Sequence, residues 1–217
     1  MPQLTLDWPI SDRAVSEIGG RLIEDFVLHR IRDATARLQD RKSQTLLVVV
    51  PTTGRTIEDF RLVCEHETNN LNLLVDIKGH NQLRRGSRPN VASIRKCIEL
   101  YADPNRESEE IVLFFCRYEF RAQHGKDGTH LTYDVLTRSF DEQHIVPIRW
   151  LSRANLDPAN IGSGGQILLA REDNLAVEQR SRAEFVELLR SFQERLRRQS
   201  ANPALNTDSR DEPARAG

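Results

Sequence analysis

The sequence predicts an α/β (α+β) fold in which a central mixed β-sheet is flanked by helices. Segments near both ends of the chain repeat apolar residues at helical spacing, and runs of β-branched and aromatic residues bounded by turn formers lie between them. With 217 residues, 38% of them hydrophobic and 29% charged, the chain can bury one sizeable core. We therefore expect one domain over residues 1–200 and a disordered tail over residues 201–217, which contain two prolines and no aromatic residue.

Helical spacing of apolar residues predicts three helices: Asp12 to Gln39, Val91 to Ala102 and Ser181 to Arg198. Ser11 or Asp12 is expected to cap the first helix and Asn90 the second, because their side-chain oxygens can accept hydrogen bonds from the first backbone N–H groups. The last helix sets arginines opposite a stripe of leucine and phenylalanine. That pattern is typical of a helix with one buried face.

Strands are predicted where β-branched and aromatic residues cluster: Thr45 to Val50, Ile57 to Glu65, Leu71 to Lys78, Ile111 to Phe120, Leu131 to Phe140, His144 to Trp150 and Gln166 to Ala170. Thr45 to Val50 is expected to be a short buried strand or, alternatively, the end of a helix. The run IVLFFCRYEF has the strongest strand pattern and is expected in the centre of the sheet. The second and third strands are expected to form a hairpin with a turn at Asn69 and Asn70. Residues 157–165 are expected to be a glycine-rich loop.

Composition argues against several classes of protein. No apolar run approaches the length that spans a bilayer, and the N-terminus has neither a basic start nor an apolar centre. We therefore expect a soluble cytoplasmic protein with no membrane partner. Cys64, Cys97 and Cys116 lack C-x-x-C spacing, so the sequence predicts reduced thiols and neither a zinc site nor a disulfide framework.

The hairpin carries the residues that point to chemistry. Asp76 and Lys78 are two residues apart on one predicted strand, so their side chains project from the same face. Asp59 lies on the preceding strand and would come alongside Asp76 if the two strands pair antiparallel. Carboxylate oxygens that leave room for water and phosphate suit Mg²⁺, and a lysine beside them can oppose charge that develops on a phosphoryl group. The pattern therefore favours metal-assisted phosphodiester hydrolysis.

Asp59, the sixteen residues after it and Asp76-Ile77-Lys78 resemble the PD-(D/E)xK nuclease motif, in a setting similar to that of type II restriction endonucleases. The resemblance implies a restriction-endonuclease-like core. It also implies that Asp59 and Asp76 bind Mg²⁺, that Ile77 offers its backbone carbonyl and that Lys78 assists the attacking water. Glu58 stands where the motif has proline, and it is the alternative first acid.

The family often places a further acid on a helix beside the metal site, which makes Glu24 of the first predicted helix a candidate catalytic residue. The alternative is an ordinary exposed glutamate on a helix surface. Seven basic residues against two acidic ones follow from Lys78 to Arg106, where a phosphate backbone would have to lie. The candidate DNA-binding residues share donor groups suited to phosphates or base edges: Asn81, Arg84, Arg85, Ser87, Arg88 and Asn90.

The resemblance implies a Mg²⁺-dependent type II site-specific deoxyribonuclease that acts on double-stranded DNA. Its implied partners are a second copy of the chain, because a two-fold axis matches a palindromic site, and a cognate DNA methyltransferase of the host restriction-modification system. Two alternatives stay open at this point. One is a nuclease of the same fold that recognises branched DNA in repair or recombination, and the other is a non-catalytic DNA-binding or scaffold protein in which Asp76 and Lys78 form a structural ion pair.

Overall fold

The computed structural model describes residues 3–6, 11–39, 45–51, 58–66, 69–83, 90–126, 128–140, 144–159, 165–169 and 176–201. Three α-helices lie in these ranges: α1 (Asp12–Gln39), α2 (Ile94–Ala102) and α3 (Arg182–Ala201). The strands there are β1 (Gln3–Leu6), β2 (Thr45–Val49), β3 (Phe60–His66), β4 (Asn69–Asn81), β5 (Asn90–Ser93), β6 (Glu109–Gly125), β7 (Gly128–Val135), β8 (Ile145–Pro147), β9 (Leu156–Ala159) and β10 (Gln166–Leu169).

A mixed seven-stranded sheet forms the centre of the fold, with strand order β1-β7-β6-β4-β3-β2 and β8 paired to β6. Strands β4 and β6 are parallel, and the other pairs of this sheet are antiparallel. A smaller antiparallel sheet has the order β5-β10-β9. The predicted mixed central sheet with flanking helices is confirmed, and so is the central position of the IVLFFCRYEF strand.

Hydrophobic clusters cover both faces of the large sheet. Because side chains alternate along a strand, Leu74 and Val75 of β4 point into different clusters. Leu74 packs with residues of α2, α3 and the small sheet, whereas Val75 packs with residues of α1. The helices therefore enclose the middle of the sheet, which fixes the strand ends that carry the polar residues.

Helix α1 has the predicted limits, and Ser11 caps it by accepting a hydrogen bond from Ala14 N at 3.2 Å. Helix α3 buries its predicted stripe, which includes Phe185 and Leu189. It begins one residue later than predicted and continues to Ala201, the first residue of the predicted tail. Residues 202–217, the remainder of the predicted disordered tail, lie outside the described part of the chain. Although α1 has 28 residues, no helix in the described ranges is apolar enough to cross a membrane.

Two predictions near the hairpin are wrong. Asn69 and Asn70 belong to β4, where they pair with His66 and Glu65 of β3, so they are strand residues instead of turn residues. Strand β2 forms one edge of the sheet, and it is not buried because Leu47 and Val49 are 45% and 48% exposed.

The start of the second helix was also mispredicted. Asn90–Ser93 forms β5, which pairs with β10, and Ser93 caps α2 by accepting a hydrogen bond from Lys96 N. The long-range strand pairing overrides the local helical preference of this segment.

Other boundaries differ downstream. Strand β7 ends at Val135 instead of Phe140, and β8 gives way to a 3₁₀ turn at Ile148–Trp150. Part of the predicted loop over residues 157–165 belongs to strand β9.

Two adjacent glycines of α1 provide a matched test of how closely the helix approaches the sheet. A Cβ at Gly19 would lie 2.9 Å from Phe120 Cδ1, whereas a Cβ at Gly20 would meet nothing within 4 Å. We expect Gly19→Ala to lower the free energy of unfolding by about 1–2 kcal/mol, because the buried ring must shift. Gly20→Ala should raise it by roughly 0.5–1 kcal/mol through helix propensity alone. Urea denaturation of both variants measures the difference, and equal shifts of the same sign would contradict this packing.

Candidate active site

Asp76 and Lys78 form an ion pair on one face of β4. Lys78 Nζ lies 2.8 Å from Asp76 Oδ1, and the side chains are 18% and 9% exposed, respectively. Both residues follow Leu74 on the face that α2 helps to cover. A carboxylate and an ammonium have therefore been placed together at the border of a hydrophobic core, where charges are costly unless they are paired.

Asp59 reaches the same part of β4 from the preceding strand. Asp59 N donates to Val75 O at 2.9 Å, so Asp59 stays against β4 although β3 begins one residue later, at Phe60. The Asp59 carboxylate then accepts a hydrogen bond from Ile77 N, with Oδ2 at 2.6 Å. The predicted approach of Asp59 to Asp76 is confirmed, and its cause is the register of β3 on β4.

The backbone of Ile77 points toward Asp59. In an antiparallel ladder the N–H and C=O of one residue leave the strand on the same side. Because the Ile77 N–H meets the Asp59 carboxylate, the Ile77 carbonyl is directed past the start of β3 on that same edge. The side chain of Ile77 faces the α1 cluster and is 6% exposed, so only its backbone is available to the site.

Glu58, the alternative first acid, is turned to a different partner. Glu58 Oε1 lies 3.1 Å from Arg61 Nη2, and its side chain is 8% exposed. Asp59 bonds directly to the backbone between Asp76 and Lys78, whereas Glu58 is held by Arg61 of β3. The geometry therefore favours Asp59 as the first acid of the motif.

Helix α1 brings Glu24 near the two aspartates. A Cβ at Gly79 would lie 2.8 Å from Ile23 Cγ2, so the helix touches β4 one residue beyond Lys78, and Glu24 directly follows that contact. Burial raises the pKa of Glu24, and the negative charge of Asp59 raises it further. Arg21, one helical turn earlier, lies 2.5 Å from Glu24 and is 79% exposed. Arg21 was not predicted as a site residue, although its i,i+3 spacing from Glu24 is typical of a helix ion pair.

Asp76 is the most perturbed carboxyl group of the site. Burial raises its pKa to about 7, and the charges of Asp59 and Glu24 act in the same direction against the lowering effect of Lys78. Three acids thus influence one another at the end of β4. An added positive charge would relieve their repulsion, and this is the electrostatic condition that a bound cation satisfies.

The raised pKa of Asp76 predicts a pH dependence of stability. A carboxyl group whose pKa rises from 3.8 to about 7 on folding stabilises the folded state below pH 3.8, and that contribution is lost as the pH increases through 7. About three pKa units correspond to a change on the order of 4 kcal/mol. We compare the free energy of unfolding of the metal-free protein with that of the Asp76→Asn variant. We expect the difference, unchanged protein minus variant, to fall between pH 4 and pH 8. Denaturant titrations in chelator measure it, and a difference that is constant or rises over this range would contradict the assignment.

The chemical types of the candidate ligands suit Mg²⁺. They are two carboxylates and one backbone carbonyl, and they leave positions for water and phosphate. As they stand, the described residues contain no group of three or more His, Cys, Asp or Glu side chains arranged to hold a metal ion. Each acid is instead bonded to a donor of the protein: Asp76 to Lys78, Asp59 to the Ile77 N–H, and Glu24 to Arg21. Each carboxylate has a second oxygen that can accept a further bond.

Of the six candidate DNA-binding residues, only Asn81 and Asn90 lie in the described part of the chain. Arg84, Arg85, Ser87 and Arg88 lie outside the described residues. Asn90 begins β5 and is exposed. Asn81 is 9% exposed; its side chain donates to Phe120 O at 3.1 Å and accepts from Leu83 N at 3.2 Å. Asn81 thus joins the end of β4 to β6, and we do not propose it as a DNA contact.

No protein-family model matches the chain, and no curated protein matches it.

Proposed function

We propose that the protein is a Mg²⁺-dependent, site-specific endonuclease of the type II restriction kind, which hydrolyses double-stranded DNA in the cytoplasm. The convergence of Asp59, Asp76 and Lys78 at the end of β4 is the observation that carries the proposal. The mixed sheet with flanking helices supports a restriction-endonuclease-like core, because Asp59, directly before β3, and Asp76 of the adjoining strand β4 lie at neighbouring positions.

The residues of the site have separate tasks in this proposal. Mg²⁺ held by the Asp59 and Asp76 carboxylates and the Ile77 carbonyl would lower the pKa of a water molecule and polarise a phosphoryl oxygen. The Lys78 ammonium would orient the attacking water and oppose the negative charge that develops on the phosphate. In the reaction the water oxygen bonds to phosphorus, the bond to the leaving oxygen breaks, and that oxygen takes up a proton. The Ile77 N–H holds Asp59 in position throughout.

Glu24 completes the proposed site from α1. Its carboxylate lies close enough to Asp59 for the two charges to interact, and its side chain is 29% exposed, so it remains accessible from solvent. We propose that it acts with the aspartates in catalysis. Arg84, Arg85, Ser87, Arg88 and the exposed Asn90 are proposed to contact DNA next to this site, because the segment that contains them is strongly basic.

The proposed partners follow from the reaction. One active site cuts one strand, so cleavage of both strands at a palindromic site calls for a homodimer with a two-fold axis. An enzyme that cuts every copy of a short sequence would also cut the DNA of its own cell. A cognate methyltransferase that protects the host sites is therefore part of the proposal.

Digestion of phage-sized duplex DNA tests the function, with Mg²⁺ in one reaction and a chelator in the other. A four-way junction and a flapped duplex are included as branched substrates. The proposal expects discrete, reproducible fragments from the duplex that appear only with Mg²⁺ and whose sequenced ends share one site. Cleavage of only the branched substrates would replace it with a structure-selective nuclease. DNA binding without cleavage of any substrate would replace it with a non-catalytic DNA-binding protein.

A further inference from the structure

Helix α1 approaches the sheet at two glycines, one in the helix and one in β4. A Cβ at Gly19 of α1 would lie 3.1 Å from Tyr118 Cε2, and a Cβ at Gly79 of β4 would lie 3.0 Å from Tyr118 Cε1. The buried ring of Tyr118 therefore contacts both glycines. Protein interiors are close-packed, so an added methyl group at either position requires its neighbours to move. The two missing side chains thus set how closely the helix approaches the strands.

The same contact fixes the helix beside the end of the candidate site. Ile23 is 1% exposed, and its Cγ2 would lie 2.8 Å from a Cβ at Gly79, the residue directly after Lys78. Ile23 is four residues after Gly19, so both residues lie on the face of α1 that is turned to the sheet. A β-branched side chain is stiff in a helix, because the preceding turn restricts its rotation. A methyl group at Gly79 would therefore push the helix away from the strand.

Glu24 is brought to the candidate site by this contact. It directly follows Ile23, its charge interacts with that of Asp59, and its charge also reaches Asp76. The two aspartates are held beside each other by the pairing of β4 with the segment before β3, whereas Glu24 belongs to α1. The distance from Glu24 to the aspartates thus depends on the spacing between α1 and β4. Interactions between charges weaken as that distance increases.

We infer that Gly79 is a positioning residue of the proposed nuclease, because it lets α1 come close enough to β4 for Glu24 to act on the cation that the two aspartates would hold. The inference rests on the proposed function. A glycine inside a strand costs conformational entropy and packs no side chain, so its use beside Lys78 is explained by the close approach of another element. The inference adds that the effect of Gly79 on the cation passes through Glu24.

Calorimetric titration with Mn²⁺ tests this role without any cleavage. Glu24→Gln should weaken Mn²⁺ binding about tenfold, the lower range for groups that act on a metal through its ligands. Gly79→Ala should weaken it roughly three- to tenfold, within the range for residues coupled through a backbone shift. The double variant Gly79→Ala/Glu24→Gln should bind Mn²⁺ within about twofold of Glu24→Gln alone, because the charge that Gly79 positions is already gone.

Ile167→Val is the matched control for a loss of stability. Ile167 is fully buried in β10, in the cluster of α2 and α3, so its shortening should lower the free energy of unfolding without moving α1. The control should bind Mn²⁺ with the affinity of the unchanged protein. Thermal unfolding shows whether each variant is folded at the temperature of the titration.

Ile23→Leu tests the contact from the side of the helix. It keeps the volume of the side chain and removes the Cγ2 methyl group that meets Gly79, so it is expected to fold even if Gly79→Ala does not. It should also weaken Mn²⁺ binding, and this effect should be absent when Glu24→Gln is present.

Unchanged Mn²⁺ affinity of folded Gly79→Ala, or of Glu24→Gln, would overturn the inference even if the protein cleaves DNA as proposed. A loss of equal size with and without Glu24→Gln would also overturn it, because the glycine would then act through another group. If Gly79→Ala does not fold, the same results with Ile23→Leu decide. An unchanged protein that neither binds Mn²⁺ nor cleaves DNA would overturn both the inference and the proposed function.

Discussion

Lys78→Ala is expected to slow Mg²⁺-dependent DNA cleavage by about 10²–10³-fold, the usual cost of removing one donor that stabilises charge in a transition state. DNA binding should change little, because the ammonium acts on the transition state more than on the bound complex. Single-turnover cleavage with excess enzyme separates these effects. The ion pair with Asp76 makes the variant informative about stability as well, since its loss leaves a buried carboxyl without its partner.

Lys126→Ala is the control for this experiment, because Lys126 is exposed at the turn between β6 and β7 and far along the chain from the site. The control should cleave at the rate of the unchanged protein. Thermal unfolding of Lys78→Ala shows whether the variant is folded under the assay conditions. Undiminished cleavage by folded Lys78→Ala would remove the lysine from the catalytic machinery.

Asp59→Asn is expected to reduce cleavage by more than about 100-fold, the upper range for groups that only orient a metal ligand. An asparagine can still accept the hydrogen bond from Ile77 N through its side-chain oxygen, so the local structure should persist while the negative charge is lost. Calorimetric titration with Mn²⁺ should show that Asp59→Asn also binds the metal more weakly. These two readouts separate a defect in metal binding from a defect in folding.

Glu58→Gln provides the matched comparison, because it removes a charge from the adjacent residue and leaves Asp59 intact. We expect nearly full cleavage and unchanged Mn²⁺ affinity, since Glu58 is paired with Arg61, whereas Asp59 accepts a hydrogen bond from the backbone of β4. The reverse pattern, in which Glu58→Gln is inactive and Asp59→Asn is active, would make Glu58 the first acid of the motif.

Elements with strong local patterns were predicted well from the sequence. Helix α1 and the central strand β6 have long apolar patterns that specify their type without reference to other parts of the chain. Elements that depend on distant partners were not predicted well. Strand β1 was not predicted, because QLTL forms a strand through pairing with β7 more than a hundred residues later. Strand β5 was mistaken for the start of a helix for the same reason, since its partner is β10.

The candidate site shows the same division. The spacing of Asp59, Asp76 and Lys78 on two predicted strands was enough to predict their convergence, because alternation along a strand and antiparallel pairing are local rules. The bond from Ile77 N to Asp59 depends on the point where β3 begins, and the burial of Asp76 depends on the packing of helices from elsewhere in the chain.

Cleavage of duplex DNA by the unchanged protein and by Lys78→Ala, with Mg²⁺ or chelator, tests the central claim most directly. The claim is that Asp59, Asp76 and Lys78 use a divalent ion to hydrolyse a phosphodiester bond. The account predicts cleavage by the unchanged protein with Mg²⁺, none in chelator, and a rate at least about 100-fold lower for Lys78→Ala. Cleavage that persists in chelator, or equal rates for the two proteins, would contradict it.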